Sequence, residues 1–445
     1  MRVRKSALPG SAVTAVLAAV LLVVSACGSS GSGDAAGDTS TSSSSAVGSS
    51  APAETGAASE SSSSAPAESS QSSEATSAAS DSTPVKVGMI YAKTGPLASY
   101  GAEYKAGFEA GMKDVTNGTG AIDGHPVEIA WQDAAGDPQK ASSEFTNLVG
   151  EGYKIIAGPA SSGVAAQLAP LAEQNKVLFI SGPAATDAIT GINKYTFRSG
   201  RQTYQDVKTA AAIVGDIKGK TVTVFAQDYA FGTANVAAVT AVLGGAGATV
   251  NSILAPLSAK DFTPYAAKIK QAPPDLLFVA WAGDTTQTMW QTLDQQGIFD
   301  MTKVVTGLGD SASFASYGDV ASKVDFLSYY FPAAPDNDVN ASMVKNITDA
   351  GGTPDLFSPD GYVAAQMIAQ AISKGSTDDV DAMVAALEGW TFQAPKGEQT
   401  IRAEDHAMIQ PEYIAHLTKS GDTFTPELVK EVPAEDLTPP VGYGK

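Results

Sequence analysis

From Val85 onward the sequence alternates short apolar runs with longer amphipathic stretches, and this alternation limits the fold more than any other feature. The apolar runs are rich in Val, Ile and Phe and are bounded by Gly, Pro or Asp, which is typical of strands buried in a parallel sheet. The amphipathic stretches predict helices that cover such a sheet, so we predict an α/β fold with mainly parallel strands. The predicted strands are Val85–Tyr91, Val127–Gln132, Lys154–Ala157, Val177–Ser181, Thr221–Ala226, Leu276–Trp281 and Val304–Thr306. The first predicted helix has an apolar stripe formed by Tyr104, Phe108, Met112 and Val115.

Two interruptions of this alternation predict crossings between two lobes. Near Tyr195–Arg201 a new helix begins and a second series of strands and helices follows. Near Tyr329–Pro335 the apolar strand Phe326–Phe331 ends in a connection that contains proline. Two lobes joined by several strands form a hinged cleft that can close on a small molecule. We predict a first lobe from residues 84–200 and about 332–410, a second lobe from about 201–331 and about 411–435, and a tail over 436–445.

The chain before residue 84 has a different composition and is predicted to lie outside the folded body. Three basic residues precede the apolar run Ala12–Val24, which is too short to span a bilayer comfortably and is typical of an export signal. Residues 28–83 are rich in Ser and hold several acidic residues but no aromatic residue, Lys or Arg, so they offer too little apolar surface to form a core. We predict a signal peptide over 1–26 and a disordered tether over 27–83.

The chain contains a single cysteine, Cys27, directly after this predicted signal peptide. Val24-Ser25-Ala26-Cys27 resembles a bacterial lipobox, in which the signal is cut before a cysteine that carries a diacylglyceryl group. The alternative is an ordinary secretory signal with a chance cysteine. We predict a lipoprotein that lies outside the cytoplasm and is held at the bacterial cell membrane by this anchor.

The composition argues against several classes of function. A formal net charge of −19 is unfavourable for nucleic-acid binding, which needs clustered Lys and Arg. One cysteine and three histidines cannot supply a disulfide framework or an ordinary zinc site. We therefore predict no nucleic-acid partner, no metal and no cofactor.

Two segments resemble catalytic motifs but do not match them fully. The segment Gly158–Gly163 has its serine one residue too late for a nucleophile elbow. The segment Gly215–Thr221 is one residue short of a P-loop and precedes a predicted strand, where a P-loop follows one. Asp133, Asp137 and Asp228 are better explained as strand-end and helix-cap residues than as an acid–base set. We predict that the protein is not an enzyme.

Two short loops each follow an apolar strand and open a helix, and they contain the hydroxyl residues Ser162 and Thr186. A helix N-terminus exposes unpaired backbone N–H groups and the positive end of the helix dipole, so it can bind a carboxylate without an arginine. The alternative is that both residues are only N-caps. Two such loops at adjacent strand ends favour a carboxylate site.

Five short motifs occur in order along the folded part: Thr94–Gly101, Gln132–Pro138, Gly158–Gly163, Pro183–Thr186 and Asp228–Gly232. In this order and spacing the chain resembles the Leu/Ile/Val-binding type of solute-binding lipoprotein, a type I periplasmic binding protein that serves ABC importers. The resemblance covers nearly all of residues 84–415. It implies two Rossmann-like lobes with three hinge strands, a solute clamped between them, and delivery of that solute to permease subunits.

The resemblance also implies roles for individual residues. Ser162, Ala184 and Thr186 match positions that hold an amino acid's carboxylate and amino group, and Ser161 lies beside them. Tyr100 matches an aromatic residue on the first-lobe side of the pocket. Tyr229 or Phe231 matches the aromatic residue that the second lobe contributes.

Two departures from the family pattern leave the class of solute open. Amino-acid binders carry a tyrosine where this chain has Gly283-Asp284, and a glutamate that pairs with the ligand's ammonium where it has Gly307–Asp310. Asp284 or Asp310 is a candidate replacement for the missing anion. Otherwise the solute lacks an ammonium and is an aromatic or short organic acid, with Trp281 as a stacking wall. A buried strand-end tryptophan is the alternative for Trp281.

The sequence thus predicts a monomeric substrate-binding protein of an ABC importer that clamps a small solute with a carboxylate, either an amino acid or an aromatic or organic acid. A ligand-sensing receptor domain of the same fold is a second class, and we expect such a domain to be followed by a transmembrane or signalling segment, which is absent after Lys445. A secreted lipoprotein enzyme is the third class.

Overall fold

The computed structural model describes residues 82–445. The predicted signal peptide, Cys27 and the predicted tether up to residue 81 lie outside the described residues. All seven predicted strands are present, with ends that differ by a residue or two. The strands are β1 (Val85–Tyr91), β2 (Ala121–Ile122), β3 (His125–Asp133), β4 (Ile155–Ala157), β5 (Leu178–Ser181), β6 (Thr196–Arg198), β7 (Thr221–Gln227), β8 (Thr249–Ala255), β9 (Leu276–Ala280), β10 (Lys303–Gly307), β11 (Val324–Ser328), β12 (Thr391–Ala394), β13 (Gly397–Ile401), β14 (Met408–Ile409), β15 (Glu412–Ser420) and β16 (Thr423–Val432).

Helices connect most of these strands. The α-helices are α1 (Ala98–Val115), α2 (Pro138–Gly150), α3 (Ser162–Asn175), α4 (Thr203–Val214), α5 (Ala230–Val239), α6 (Thr263–Gln271), α7 (Thr286–Gln295), α8 (Asp338–Asp349), α9 (Ser358–Gln370), α10 (Val380–Leu387) and α11 (Ala434–Leu437). Turns of 3-10 helix occur at Asp187–Ile189, Ile298–Asp300 and Ser311–Lys323, and π-helical turns extend α5 over Thr240–Gly244 and α9 over Ala371–Gly375.

Lobe 1 is built on a six-stranded sheet in the order β2-β3-β1-β4-β5-β6. Its strands are parallel except for β2, which pairs antiparallel with β3. The predicted stripe of α1 is confirmed, because Tyr104, Phe108 and Met112 are buried in the lobe 1 core and Val115 packs against it. The return segment also belongs to this lobe, since α8 and α9 pack on α1 and the small antiparallel sheet β12-β13-β14 adds Phe392 and Ile401 to the same core.

Lobe 2 is built on a seven-stranded sheet in the order β16-β15-β11-β10-β9-β7-β8. Strands β7 to β11 are parallel, and the hairpin β15–β16 adds two antiparallel strands at one edge. Buried side chains cover both faces of this sheet, as a parallel sheet inside an α/β lobe requires. The lobe is therefore a second unit of the kind seen in lobe 1, with an antiparallel extension.

The chain crosses between the two sheets three times within the described residues. The crossings run from β6 to α4, from β11 to α8, and from β14 to β15. The predicted fold class, two α/β lobes joined by hinge strands, is confirmed. The exact residues at which each lobe begins and ends stay a prediction. The last ten residues, which the sequence set apart as a tail, contact the body: Gly442 N donates to Asp405 Oδ2 at 2.8 Å and Tyr443 contacts the Tyr204 ring.

Candidate functional site

A cavity lies between the lobes at the carboxyl ends of their parallel strands, which is where α/β sheets usually bind ligands. About 90 Å³ of it is open to the centre of a water molecule. Since one water needs roughly 10–15 Å³ on this measure, the cavity has room for a small organic molecule. Its lining includes Tyr100, Ser161, Ser162, Tyr229, Phe231 and Trp281 of the residues predicted from the sequence.

The N-terminus of α3 forms one polar end of the cavity. Ser161 is the N-cap, and its Oγ accepts from Val164 N at 3.5 Å. The first N–H groups of the helix have no intrahelical acceptor and lie where an anion is favoured. Ser162 is the first helical residue, and its Oγ accepts from the backbone N–H of Thr186 at 3.3 Å. Both serines line the cavity.

The second predicted loop contributes to the site differently from the prediction. Ala184 and Thr186 are buried and do not line the cavity, whereas their neighbours Pro183 and Ala185 do. Thr186 Oγ1 accepts from Ala188 N at 3.3 Å and caps the 3-10 turn. The N-cap alternative therefore describes Thr186, whose backbone also supports Ser162. Contact of Ala184 or Thr186 with a solute stays a prediction.

Arg198 of β6 explains why this loop is turned away from the cavity. Its guanidinium is fully buried, and its Nη2 donates to Ala184 O at 2.8 Å and to Thr186 O at 3.1 Å. Its Nη1 donates to Thr190 Oγ1 at 2.9 Å. Arg198 thus holds the loop through the carbonyls of Ala184 and Thr186.

A second arginine, Arg201, lines the cavity itself, and the sequence analysis did not assign it a role. It is 9% exposed and lies on the first crossing between the lobes. Its Nε donates to Asp206 Oδ1 at 3.2 Å, and its Nη1 donates to Pro183 O at 2.9 Å. Its guanidinium lies 5.0 Å from the Tyr329 ring centroid and 5.2 Å from that of Phe357. Nη2 has no hydrogen-bond partner in the part of the chain that the structure describes.

The surroundings keep Arg201 charged. Burial alone would lower the pKa of its guanidinium, but the carboxylates of Asp206 and Asp360 outweigh burial, and the pKa is raised. A local signal for this residue existed in the sequence, since Arg201 follows Arg198 by three residues in a chain with few cations. Which of the two arginines faces the cavity depends on the packing of the hinge.

Aromatic side chains form much of the remaining lining. Tyr229 and Phe231 lie at the start of α5 with ring centroids 6.0 Å apart, and burial raises the pKa of the Tyr229 phenol. From lobe 1, Tyr100 contacts the Phe357 ring at 4.7 Å between centroids. The phenol oxygens of Tyr100 and Tyr229 have no hydrogen-bond partner among residues 82–445. They are neutral hydroxyl groups that remain available to a bound molecule.

Trp281 combines the two roles considered for it. It is half-buried, and its ring packs against Phe225 at 4.9 Å and Phe262 at 5.0 Å between centroids. Its Nε1 donates to Thr285 Oγ1 at 3.0 Å, which fixes the indole. The same residue lines the cavity, so a core tryptophan presents one of its surfaces to the site.

The two predicted acids, Asp284 and Asp310, are not part of the cavity lining. They lie along an adjoining groove that shares Tyr100 and Trp281 with the cavity. The Asp284 side chain is 68% exposed and lies 3.8 Å from Lys260 Nζ. Asp310 is buried near Glu103, whose pKa is raised well above its usual range by burial and by the neighbouring carboxylates. Pairing of either aspartate with a ligand stays a prediction.

The two lobes meet at two places near the cavity. At the first, Asp355 of lobe 1 accepts from Ser311 N of lobe 2 at 2.9 Å and from the Ser311 hydroxyl. At the second, a Cβ added to Gly283 would lie 3.3 Å from Pro96, and Gly283 has a φ of +85°, where glycine is favoured. The structure therefore represents a closed arrangement of the lobes.

Comparisons with known proteins agree with this architecture. The family model described as "Periplasmic binding protein" matches residues 84–422. A Leu/Ile/Val-binding protein, BraC3 of Rhizobium johnstonii, is 26% identical over 68% of this chain and 83% of its own length. The crystal structure of an ABC-type branched-chain amino acid transporter from Rhodopseudomonas palustris CGA009 is 30% identical, with a TM-score of 0.68 over 80% of this chain and 99% of that one.

A further solved structure adds a bound molecule. The solute-binding protein of an ABC transporter from Rhodopseudomonas palustris BisB5, in complex with 3,4-dihydroxybenzoic acid, is 26% identical with a TM-score of 0.69, over 79% of this chain and 98% of that one. The chain belongs to the periplasmic binding protein family, and the resemblance to its Leu/Ile/Val-binding type is confirmed. The relatives named here are binding and transport proteins.

Within residues 82–445, no helix has both the length and the apolar content that crossing a bilayer requires. Over the same residues, no cluster of His, Cys, Asp and Glu side chains has the arrangement of a metal site.

Proposed function

We propose that the protein is the extracytoplasmic substrate-binding component of an ABC importer, and that it binds a small solute with a carboxylate group and delivers it to permease subunits. We further infer that it acts as a monomer. The observation that carries the proposal is a small cavity shared by two lobes and lined by a helix N-terminus, a charged arginine and several aromatic rings. Such a cavity orients a ligand by its charge and encloses the rest of it by apolar contact.

The names of the relatives support two classes of solute. The Rhizobium relative is named for Leu, Ile and Val, and the BisB5 protein was solved with an aromatic acid. Both classes have a carboxylate, which fits the polar groups at Ser161 and Ser162. They differ beside the carboxylate, where an amino acid carries an ammonium group and an aromatic acid does not.

Binding without turnover tests this function. The purified full chain is titrated with amino acids and aromatic acids by calorimetry, and bound material is released by denaturation and identified by mass spectrometry. We expect one class to bind stoichiometrically and to be recovered unchanged. Recovery of a chemically altered solute would support the enzyme class, and absence of binding to either class would contradict the proposal.

The membrane anchor is a separate part of the proposal and rests on Cys27. We expect Cys27→Ser to abolish lipid attachment and to release the protein from the membrane fraction, because a diacylglyceryl anchor requires the thiol. Ser25→Ala is the matched control, since it keeps a small residue before the cut and should stay anchored. Incorporation of labelled lipid into Cys27→Ser would contradict the anchor.

A further inference from the structure

Arg201 combines three properties that suit a ligand site. Its buried charge is stabilised by Asp206 and Asp360, it faces the cavity, and part of its donor set is unused. Arginine presents its N–H groups in a planar fork that matches a carboxylate, and charged hydrogen bonds of this kind are stronger than neutral ones. The donors left free on Nη2 are therefore suited to an anionic ligand.

The side chain is also held in a fixed orientation. Asp206, in the first turn of α4, binds Nε, and the carbonyl of Pro183 binds Nη1. The rings of Tyr329 and Phe357 lie near the guanidinium on the crossing and on lobe 1. A group held in this way loses little conformational entropy when a ligand arrives, so more of its interaction energy contributes to affinity.

The acidic groups of the cavity lining bear on whether a zwitterion fits. Asp206 is the acid that lines the cavity, and its carboxylate is committed to Arg201. The exposed Asp284 and the buried Asp310 lie along the adjoining groove. An ammonium group placed in the cavity would therefore lack a free carboxylate partner, and burying an unpaired charge is costly.

The remaining walls favour a planar ring. Tyr100 and Phe357 come from lobe 1, and Phe231 and Trp281 from lobe 2, so rings from both lobes face the same space. Aromatic rings pack well against one another in offset or edge-to-face geometry. The unpaired phenols of Tyr100 and Tyr229 could in addition bind a polar substituent on the ligand's ring.

We propose that Arg201 is the specificity-determining residue of this site, that Asp206 positions it, and that the solute is an aromatic acid without an ammonium group. This inference rests on the proposed function, because it names the solute of the same cavity. Ser161 and Ser162 complete the carboxylate site from the α3 N-terminus. The aromatic walls enclose the ring.

The test compares charge selectivity in the wild-type full chain and in its variants. The probes are benzoate, its neutral isostere benzamide, and the zwitterions phenylalanine and leucine, each titrated by calorimetry. We expect the wild type to bind benzoate roughly ten- to hundredfold more tightly than benzamide, and to bind both zwitterions more weakly than benzoate.

Three variants separate recognition from folding. Arg201→Lys keeps the charge but loses the planar fork, so we expect an intermediate loss of benzoate affinity. Arg201→Gln combined with Asp206→Asn removes both charges and leaves neither one buried alone, so the fold should survive. In this double variant we expect benzoate affinity to fall roughly ten- to hundredfold while benzamide affinity stays unchanged. Circular dichroism and thermal unfolding verify folding.

Arg402→Gln combined with Asp405→Asn is the matched control, because it also removes both charges of an ion pair and leaves neither one buried alone. This pair lies away from the cavity lining, so its removal should leave both affinities unchanged. A folded double variant that keeps the wild-type benzoate/benzamide ratio overturns the role of Arg201, while benzoate binding itself would still support the proposed function. A wild type that prefers leucine or phenylalanine overturns the solute class. A wild type that binds none of the carboxylates contradicts the proposed function as well.

Discussion

Each lobe places a helix N-terminus at the cavity, and the two helix ends present different chemistry there. In lobe 1, α3 follows β4, and its N-cap Ser161 uses its side chain to cap the helix. In lobe 2, α5 follows β7, and its N-cap Tyr229 makes no such hydrogen bond. The first helix end therefore presents hydroxyls and backbone N–H groups, and the second presents aromatic rings.

The proposed function assigns different roles in binding to these groups. In it, the serines of α3 and Arg201 near the hinge orient a charged ligand. The aromatic rings of lobe 2 supply contact area, whose contribution depends on apolar surface and only weakly on direction. A change on the lobe 1 side should therefore alter charge selectivity, and a change on the lobe 2 side should alter affinity for ring substituents.

Among the changes that test this difference between the lobes, Ser162→Ala is expected to have the largest effect on solute affinity. Loss of the hydroxyl removes one donor for the ligand's carboxylate and the acceptor of the Thr186 N–H. We expect the affinity for a bound carboxylate to fall roughly ten- to hundredfold, as for a hydrogen bond to a charged group. Calorimetry with the carboxylate that the wild type binds measures the change.

Thr186→Ala is the matched comparison for that variant. Because Thr186 caps a 3-10 turn and does not line the cavity, we expect a loss of about 1 kcal/mol in unfolding free energy. Its solute affinity should stay within a few-fold of wild type. If Thr186→Ala weakened binding as much as Ser162→Ala, the second loop would contact the solute as the sequence predicted.

The next effect concerns the hinge, where Lys396 of lobe 1 lies between the lobes. Its Nζ is 3.5 Å from the Tyr329 ring centroid and 3.3 Å from Gln410 Oε1, and it faces the carboxylates of Glu412 and Asp360. Burial lowers the pKa of Lys396 to about 7, and burial raises that of Glu412 to about 8.

Above pH 8, Lys396 determines whether the unfolding free energy rises or falls with pH. The native protein has released its proton, whereas the unfolded chain binds it up to a pKa of about 10.4, so this residue makes stability rise with pH. The unfolding free energy rises by roughly 1 kcal/mol per pH unit, and this rise is lost as the pH falls towards the pKa of Lys396 in the native protein. We expect Lys396→Met to remove it between pH 8 and 9.5, measured by urea unfolding. Equal slopes in wild type and variant would contradict the shifted pKa.

A smaller effect is expected at the contact between the lobes. Asp355→Ala removes the acceptor for Ser311, so the closed arrangement loses a charged hydrogen bond that an open one lacks. We expect about a tenfold weaker solute affinity and a larger radius of gyration without solute in small-angle scattering. Asp300→Asn, in an exposed ion pair with Lys323, is the control and should change neither quantity. Identical scattering of wild type and Asp355→Ala would contradict a role of this hydrogen bond in holding the lobes together.

The smallest effect is expected on the lobe 2 wall. Tyr229→Phe keeps the ring and removes a hydroxyl that has no partner in the described structure. We expect a hydroxylated aromatic acid to lose about threefold to tenfold in affinity, as for a neutral hydrogen bond, and an unsubstituted one to lose nothing. Equal losses for both acids would show that the hydroxyl contributes through packing.

Much of the fold could be predicted because it depends on local patterns. Alternating apolar runs identified seven strands, and the stripe from Tyr104 to Val115 identified the buried face of α1. The strand β8 was among those missed, since three of its seven residues are exposed and its polar residues interrupt the apolar pattern. The third crossing, from β14 to β15, was implied by the family resemblance and lacks the break in pattern that marked the other two.

The sequence alone thus determined the class of fold, the two lobes and the start of a helix at the Gly158–Gly163 loop, because these depend on neighbouring residues. It placed the N-cap at Ser162, one residue after the observed N-cap Ser161. Only the tertiary structure decided that Arg201 faces the cavity while Arg198 lies behind the loop, and that Asp284 and Asp310 lie outside the lining. It also decided that Asp355 meets Ser311 across the cleft. The surroundings of a charged side chain depend on residues brought together from distant parts of the chain, and local composition contains no record of that contact.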